Sequence, residues 1–287
     1  MNQSNGRTYL PDTQIEIISS RRPCAPPRYV LFDFDGTISL IREGWQGIMA
    51  GLMLEWLLAT PQADDEATLR QLISDLILHS TGRPTIDQMV WLAEEVARRG
   101  GQPQTPDEYK NIYLDQLRCC VNERIAALKC GQVAPADLTI PGVLDLLAQL
   151  AEHGITCYLA SGTERADVVN EVGVLGLTSY FEDRIYGPHH SEPAFSKEMV
   201  IQQIIQEHQL HGCELLSFGD GRVEIAHTAE VDGIAIGVAS NEVERQGVDE
   251  LKRAQLIQAG AVIIIPDFRE SEFLIEYLFN GNEAMSR

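Results

Sequence analysis

From Pro141 onward the chain alternates helix-patterned and strand-like segments, and that alternation restricts it to few architectures. Apolar residues recur at three- and four-residue steps over 142–152, 164–173, 197–209, 222–229 and 248–258. Short apolar runs stand between them at Ile155–Ala160, Arg184–Tyr186, Leu215–Phe218, Ile234–Ala239 and Ala261–Ile265. Strands buried on both faces read as continuous apolar runs, and strands joined by helices run parallel. The expectation is an α/β fold with a parallel sheet covered by helices on both faces.

One more strand of that sheet, Val30–Asp33, lies far upstream. Between it and Pro141 helical periodicity takes over, at about 44–60, 65–79, 85–99 and 107–130. Trp45, Ile48, Met49, Leu52, Met53 and Trp56 make an apolar stripe on the first of these helices. Gly100-Gly101 and Gly131 fall where helix C-terminal caps belong. Pro84 and Pro106 fall near helix starts, with Thr85 as an N-cap. This predicts an inserted helical lobe over 43–134, a core of 29–42 and 135–287, and hinges near Ser39–Gly44 and Gly131–Pro141. Such sheets bind ligands at their C-terminal strand ends, so the lobe would stand above the site. Residues 1–28 read as an N-terminal arm. Its Ile15-Glu16-Ile17-Ile18 alternation predicts a packed edge strand, and Arg21-Arg22-Pro23 and Pro26-Pro27 an extended linker.

Charge narrows the partners. With 42 acidic against 22 basic residues the net charge is −20, which repels a nucleic-acid backbone. A small phosphorylated ligand stays compatible, because a metal and local cations reverse the potential inside a cleft. No apolar stretch reaches the roughly 18 residues of a membrane span, and Met1–Gly6 lacks the apolar core of a signal peptide. A cytoplasmic location is expected. Cys24, Cys119, Cys120, Cys130, Cys157 and Cys213 show no C-x-x-C spacing, which predicts reduced thiols, with Cys157 a small buried hydrophobe.

Chemistry concentrates in Val30-Leu31-Phe32-Asp33-Phe34-Asp35-Gly36-Thr37. Alternation along a strand puts Asp33 and Asp35 on one side, and the glycine turn frees the backbone beyond them. Two carboxylates so close require a shared proton or a cation between them. Downstream, Ser161-Gly162-Thr163 ends a strand and opens a helix, an arrangement that cradles an anion or caps the helix. Lys197 opens another helix, against the dipole, so a nearby anion is expected. Lys252 reads as a solvated helix face. Gly219-Asp220-Gly221 ends a further strand, with Glu224 four residues after Asp220. His189-His190 lack the helical spacing of a metal pair and read as loop residues.

Taken in order, these segments resemble the four motifs of the haloacid dehalogenase-like (HAD) superfamily, mostly magnesium-dependent phosphatases and phosphotransferases. The resemblance implies a Rossmann-like core with an inserted C1 helical cap. It implies Asp33 as nucleophile, Asp35 as general acid/base held by Thr37, and phosphate binding by Ser161, Gly162 and Lys197. Thr163 is then the helix cap. Asp33, the Asp35 carbonyl and Asp220 would hold magnesium. Glu224, where many relatives carry Asp, would support them by orienting Lys197 or a metal-bound water. Ser80-Thr81-Gly82-Arg83-Pro84-Thr85 resembles the cap's specificity loop, which makes Arg83 a reader of the substrate's distal part, with Arg42, Glu43 and Trp45 as further candidates. The implied activity is hydrolysis of a small phosphomonoester, such as a sugar phosphate or phosphoglycolate, through an aspartyl phosphate. Alternatives are a phosphomutase resembling β-phosphoglucomutase, a phosphonatase using Lys110 or Lys129, and a non-catalytic phosphosugar-binding protein.

Overall fold

One sheet runs through the described residues, which are 2–4, 6–80, 83–189 and 195–279 of this computed structural model. Its strands are β1 (Asn2–Ser4), β2 (Arg7–Tyr9), β3 (Glu16–Ile17), β4 (Tyr29–Phe32), β5 (Thr156–Ala160), β6 (Ile185–Tyr186), β7 (Leu215–Gly219), β8 (Ile234–Val238) and β9 (Ile263–Ile265). They lie in the order β1-β2-β3-β9-β8-β7-β4-β5-β6. Every pairing from β9 to β6 is parallel, as the strand–helix alternation predicts. β4 is central, with β5 on one side and β7 on the other. Its four residues are buried, and Phe32 stacks on Phe218 of β7 at 5.0 Å between ring centroids.

The helices are α1 (Trp45–Leu58), α2 (Glu66–Ser80), α3 (Thr85–Arg98), α4 (Pro106–Lys129), α5 (Val143–Glu152), α6 (Arg165–Val174), α7 (Thr178–Phe181), α8 (Lys197–His208), α9 (Arg222–Glu230), α10 (Glu250–Ala259) and α11 (Ser271–Phe279). α1 to α4 are inserted between β4 and β5 and pack on one another through Met49, Leu52, Met53, Leu69, Met89, Leu92 and Tyr109. Thr105 caps α4 with a complete capping box to Glu108, and Pro106 occupies the first turn. Thr85 is not a cap: Pro84 takes that position without a side-chain bond, and Thr85 is the first helical residue. The two strands of chain that enter and leave the inserted helices pair with each other, Leu40 N–H to Leu138 O and Ile140 N–H to Ile38 O, both at 2.9 Å. Arg124 of α4 braces the first of them through the Ile41 and Glu43 carbonyls.

The N-terminal segment contributes β1, β2 and β3 to the sheet. β3 adds antiparallel to β9 and covers what would be an open sheet edge. Buried Glu16 receives both arms of the Arg253 guanidinium at 2.6 Å. The cysteine expectation needs correction, because Cys24 is joined to Cys213 by a disulfide with Cα atoms 5.4 Å apart. The two lie 189 residues apart, so spacing carries no sign of the pair. Cys119, Cys120 and Cys130 are free and exposed, and Cys157 is buried with its thiol pushed up to about 12 by burial. No helix among the described residues is long and apolar enough to cross a membrane.

Candidate active site

The site forms where β4 stops pairing. Asp33 N–H still donates to Phe218 O of β7 at 2.9 Å, and the chain then turns on the Phe34 carbonyl, which accepts from Thr37, Ile38 and Ser39 N–H. Gly36 sits in that turn at φ 75°. A Cβ there would lie 2.3 Å from Asp220 Oδ2, so glycine is required both by the backbone and by its neighbour.

Asp33 is buried beside Lys197, the first residue of α8, whose Nζ lies 2.7 Å from Asp33 Oδ1 and 2.8 Å from Glu224 Oε2. This is the anion that its place at a helix start demanded. Burial works against the Lys197 ammonium, but Asp33 and Glu224 outweigh it and hold the group above its ordinary value. Burial likewise pushes the Asp33 carboxyl up, with Lys197 pulling the other way. Glu224 is not an exposed helical carboxylate. Only 1% of it is accessible, its Oε1 accepts from Gly221 N–H at 2.8 Å, and it lies so close over Gly219 that a Cβ there would clash.

Asp35 is held differently from the expectation. Its Oδ2 accepts from Thr163 Oγ1 at 2.8 Å and Ser161 Oγ at 3.2 Å, while Arg42 Nε stands 3.8 Å from Oδ1. Thr37 does not hold it. The Phe34–Ser39 turn carries the Thr37 side chain inward, where its hydroxyl is buried without a hydrogen-bond partner. Thr163 is therefore an anchor for Asp35, and the residue at the α6 cap position is Glu164, with no side-chain capping bond.

Asp220 directly follows β7 and receives Lys252 Nζ on Oδ2 at 2.8 Å. Lys252 is consequently half-buried against the acidic cluster and not on a solvated helix face; its ammonium also reaches Glu242 Oε1 at 2.6 Å. Burial pushes the Asp220 carboxyl up to about 6, against the pull of Lys252. Asp33, Asp220 and Glu224 each offer a carboxylate oxygen, and the three lie within 4.8 Å of one another. Asp220 Oδ1 is buried and has no hydrogen-bond partner. An all-oxygen set with one orphaned carboxylate oxygen fits a hard divalent cation such as magnesium.

A cavity opens from this cluster toward the inserted helices. Asp33, Asp35, Ser161, Gly162 and Asp220 line its floor, and Arg42, Trp45, Arg83, Lys110 and Tyr113 line the sides. Lys110 is paired with Glu164 at 2.8 Å. Glu43 is turned away to Arg245 at 2.9 Å and does not line the cavity. Thr81, Gly82 and His190 lie outside the described residues. Arg42 is buried, paired with Glu171 at 2.6 Å and Asp167 at 3.2 Å. Burial raises the Glu171 carboxyl to about 7 despite that pairing.

The family model for haloacid dehalogenase-like hydrolases matches residues 27–230, which include all of this cluster except Glu242 and Lys252. The chain belongs to this family. No curated protein matches it in sequence. Among solved structures, a predicted phosphoglycolate phosphatase from Haemophilus somnus superposes with a TM-score of 0.56 at 16% identity, covering 86% of this chain and 97% of that one. A β-phosphoglucomutase from Clostridium difficile gives 0.54 at 14% identity, covering 91% and 100%. A predicted phosphatase from Clostridium acetobutylicum gives 0.56 at 19% identity, covering 88% and 100%. At these identities the likeness is one of fold: the family's core sheet with helices inserted after its first motif.

Sequence reasoning missed Thr163 as an anchor, Glu171, Glu242 and Lys252. Thr163 was within reach of a signal, since it lies two residues past Ser161 at a strand end. The other three sit on helices or loops whose local pattern matches a solvent-facing one.

Proposed function

We propose that the chain is a magnesium-dependent phosphomonoester hydrolase acting on a small phosphorylated metabolite through an aspartyl phosphate on Asp33. One observation carries this reading. Asp33 and Asp35 face one cavity from the end of the central strand, Lys197 is bonded to the first, and Ser161 and Thr163 are bonded to the second. The proposed units are a core of 29–42 and 135–287 and a cap of 43–134.

A carboxylate oxygen of Asp33 attacks phosphorus, and the bond to the leaving oxygen breaks as Asp35 delivers a proton to it. Thr163 and Ser161 hold Asp35 through Oδ2, which fixes the carboxyl for that transfer. Asp35 then takes a proton from the water that cleaves the aspartyl phosphate, which returns Asp33 and releases phosphate. Ser161, the Gly162 amide and Lys197 stabilise the phosphoryl oxygens. Asp33, the Asp35 carbonyl and Asp220 would hold magnesium, which when bound offsets the repulsion between the carboxylate and the incoming phosphate. Glu224 keeps Lys197 beside Asp33. Trp45, Arg42 and Arg83 border the space left for the rest of the substrate, and closure of the cap over it excludes water.

A phosphonatase would need a neutral amine for carbonyl chemistry, and Lys110, the cavity lysine, is ion-paired with Glu164. Phosphate release from a panel of phosphorylated metabolites with magnesium tests the reading. Release from at least one substrate is expected, whereas intramolecular transfer without release points to a mutase. Binding without either favours the non-catalytic reading.

A further inference from the structure

Two lysines reach the acidic cluster, and the reading above uses only Lys197. Lys252 stands in the first turn of α10, behind the Asp249 cap, whose Oδ1 accepts from the Leu251 and Lys252 N–H groups. A cation there opposes the helix dipole, as Lys197 does on α8. Its side chain is 16% exposed and its Nζ bonds Asp220 Oδ2 and Glu242 Oε1.

What matters is which oxygen this leaves. Asp220 Oδ2 is closed on one side by Lys252 and on another by the Gly36 turn, where a Cβ would come within 2.3 Å. Oδ1 is buried and without a hydrogen-bond partner. Lys197 does the same to Asp33 by holding its Oδ1 at 2.7 Å. Glu224 has both oxygens engaged, one by Lys197 and one by Gly221 N–H. Asp33 and Asp220 are thus set to offer single oxygens, not chelating pairs.

We infer that Lys252, steadied by Glu242, sets the metal preference of the site: by occupying Asp220 Oδ2 it confines Asp220 to one-oxygen ligation and so favours magnesium over calcium. Magnesium demands six ligands in near-octahedral array, whereas calcium takes six to eight and readily uses both oxygens of a carboxylate. The Lys252 charge also weakens binding of either divalent ion, and to a similar degree, because the Coulomb cost depends on charge and distance. The ratio of the two affinities, not either one alone, therefore reports the role. Lys252 is a positioning residue here, and the inference rests on the metal-dependent reading of the site.

The test is calorimetric titration of magnesium and of calcium into the chelator-treated full chain, as wild type, Lys252→Arg, Lys252→Met and the double variant Lys252→Met with Glu242→Gln. The double variant removes the Glu242 charge that Lys252→Met alone would strand, and melting curves verify folding. Both Met forms should shift the affinity ratio toward calcium by about tenfold or more, and Lys252→Arg should keep the wild-type ratio. Wild-type preference for magnesium with an unchanged ratio in the Met forms overturns the role of Lys252 and leaves the metal reading standing. A wild-type chain that binds neither ion overturns both.

Discussion

Thr163 Oγ1 donates to Asp35 Oδ2 at 2.8 Å, and no other side chain holds that carboxylate at so short a distance. The second donor, Ser161, is also a candidate phosphate ligand, so Thr163 is the anchor that stays when substrate arrives. Thr163→Val keeps the shape and removes the donor. A hydrogen bond to a charged group is worth about 1.5–3 kcal/mol, so kcat for alkyl phosphates should fall roughly tenfold or more. Aryl phosphates, whose leaving groups need less protonation, should lose less. Thr37→Val should change neither, since the Thr37 hydroxyl has no partner to lose. Steady-state kinetics on both substrate types check this, and a larger loss from Thr37→Val would reverse the assignment.

Glu171 makes stability depend on pH. Its carboxyl is raised to about 7 in the folded state from an ordinary 4.5, chiefly by burial. Between those values the folded chain holds more protons than the unfolded one, so stability is full below about 4.5 and falls as pH rises toward 7. The effect is at most about 3 kcal/mol, and Arg42 and Asp167 share it. Glu171→Gln should flatten the fall in melting temperature across that window in chelator-treated protein. A slope equal to the wild type's would show that Glu171 titrates normally.

Arg83 borders the cavity from the loop between α2 and α3. If it reads the distal part of the substrate, Arg83→Ala should cost the preferred metabolite ten- to a hundredfold in kcat/KM, about 1.5–3 kcal/mol. A generic aryl phosphate too small to reach the loop should be hydrolysed nearly as before. An unchanged preference across a metabolite panel would remove Arg83 from substrate reading.

Exhaustive chelation should abolish phosphate release and added magnesium should restore it. Calcium should compete without restoring turnover, because it takes more oxygen ligands than magnesium and does not keep the near-octahedral array around the attacking carboxylate. Turnover that survives chelation would contradict the metal assignment.

The fold was legible because its signals are periodic. Apolar runs such as Leu215–Phe218 stand apart from the helices, whose punctuation, such as Gly131 or Pro106, is chemical and local. α11 went unread although Ser271 opens it and Asn280-Gly281 follows it in sequence, and α7 is only one turn long. In the site, residues fixed by a strand end and a glycine turn could be placed: Asp33, Asp35, Ser161 and Asp220. Lys197 announced itself by standing against a helix dipole. Lys252 does the same, yet its helix face is otherwise polar, so only the tertiary approach of α10 to β7 reveals its partner. Glu171 and Cys24–Cys213 depend wholly on such approaches, which leave no local trace.

The central claim is that Asp33 is the nucleophile, and it is tested most directly by trapping the intermediate. Wild-type protein mixed with a radiolabelled phosphomonoester substrate and magnesium, then quenched in acid within the first turnover, should carry hydroxylamine-labile label. Peptide mapping should place that label on Asp33. Asp33→Asn should carry none and show no multiple turnover while melting as a folded protein. Label on another residue, or steady turnover by Asp33→Asn, would contradict the account.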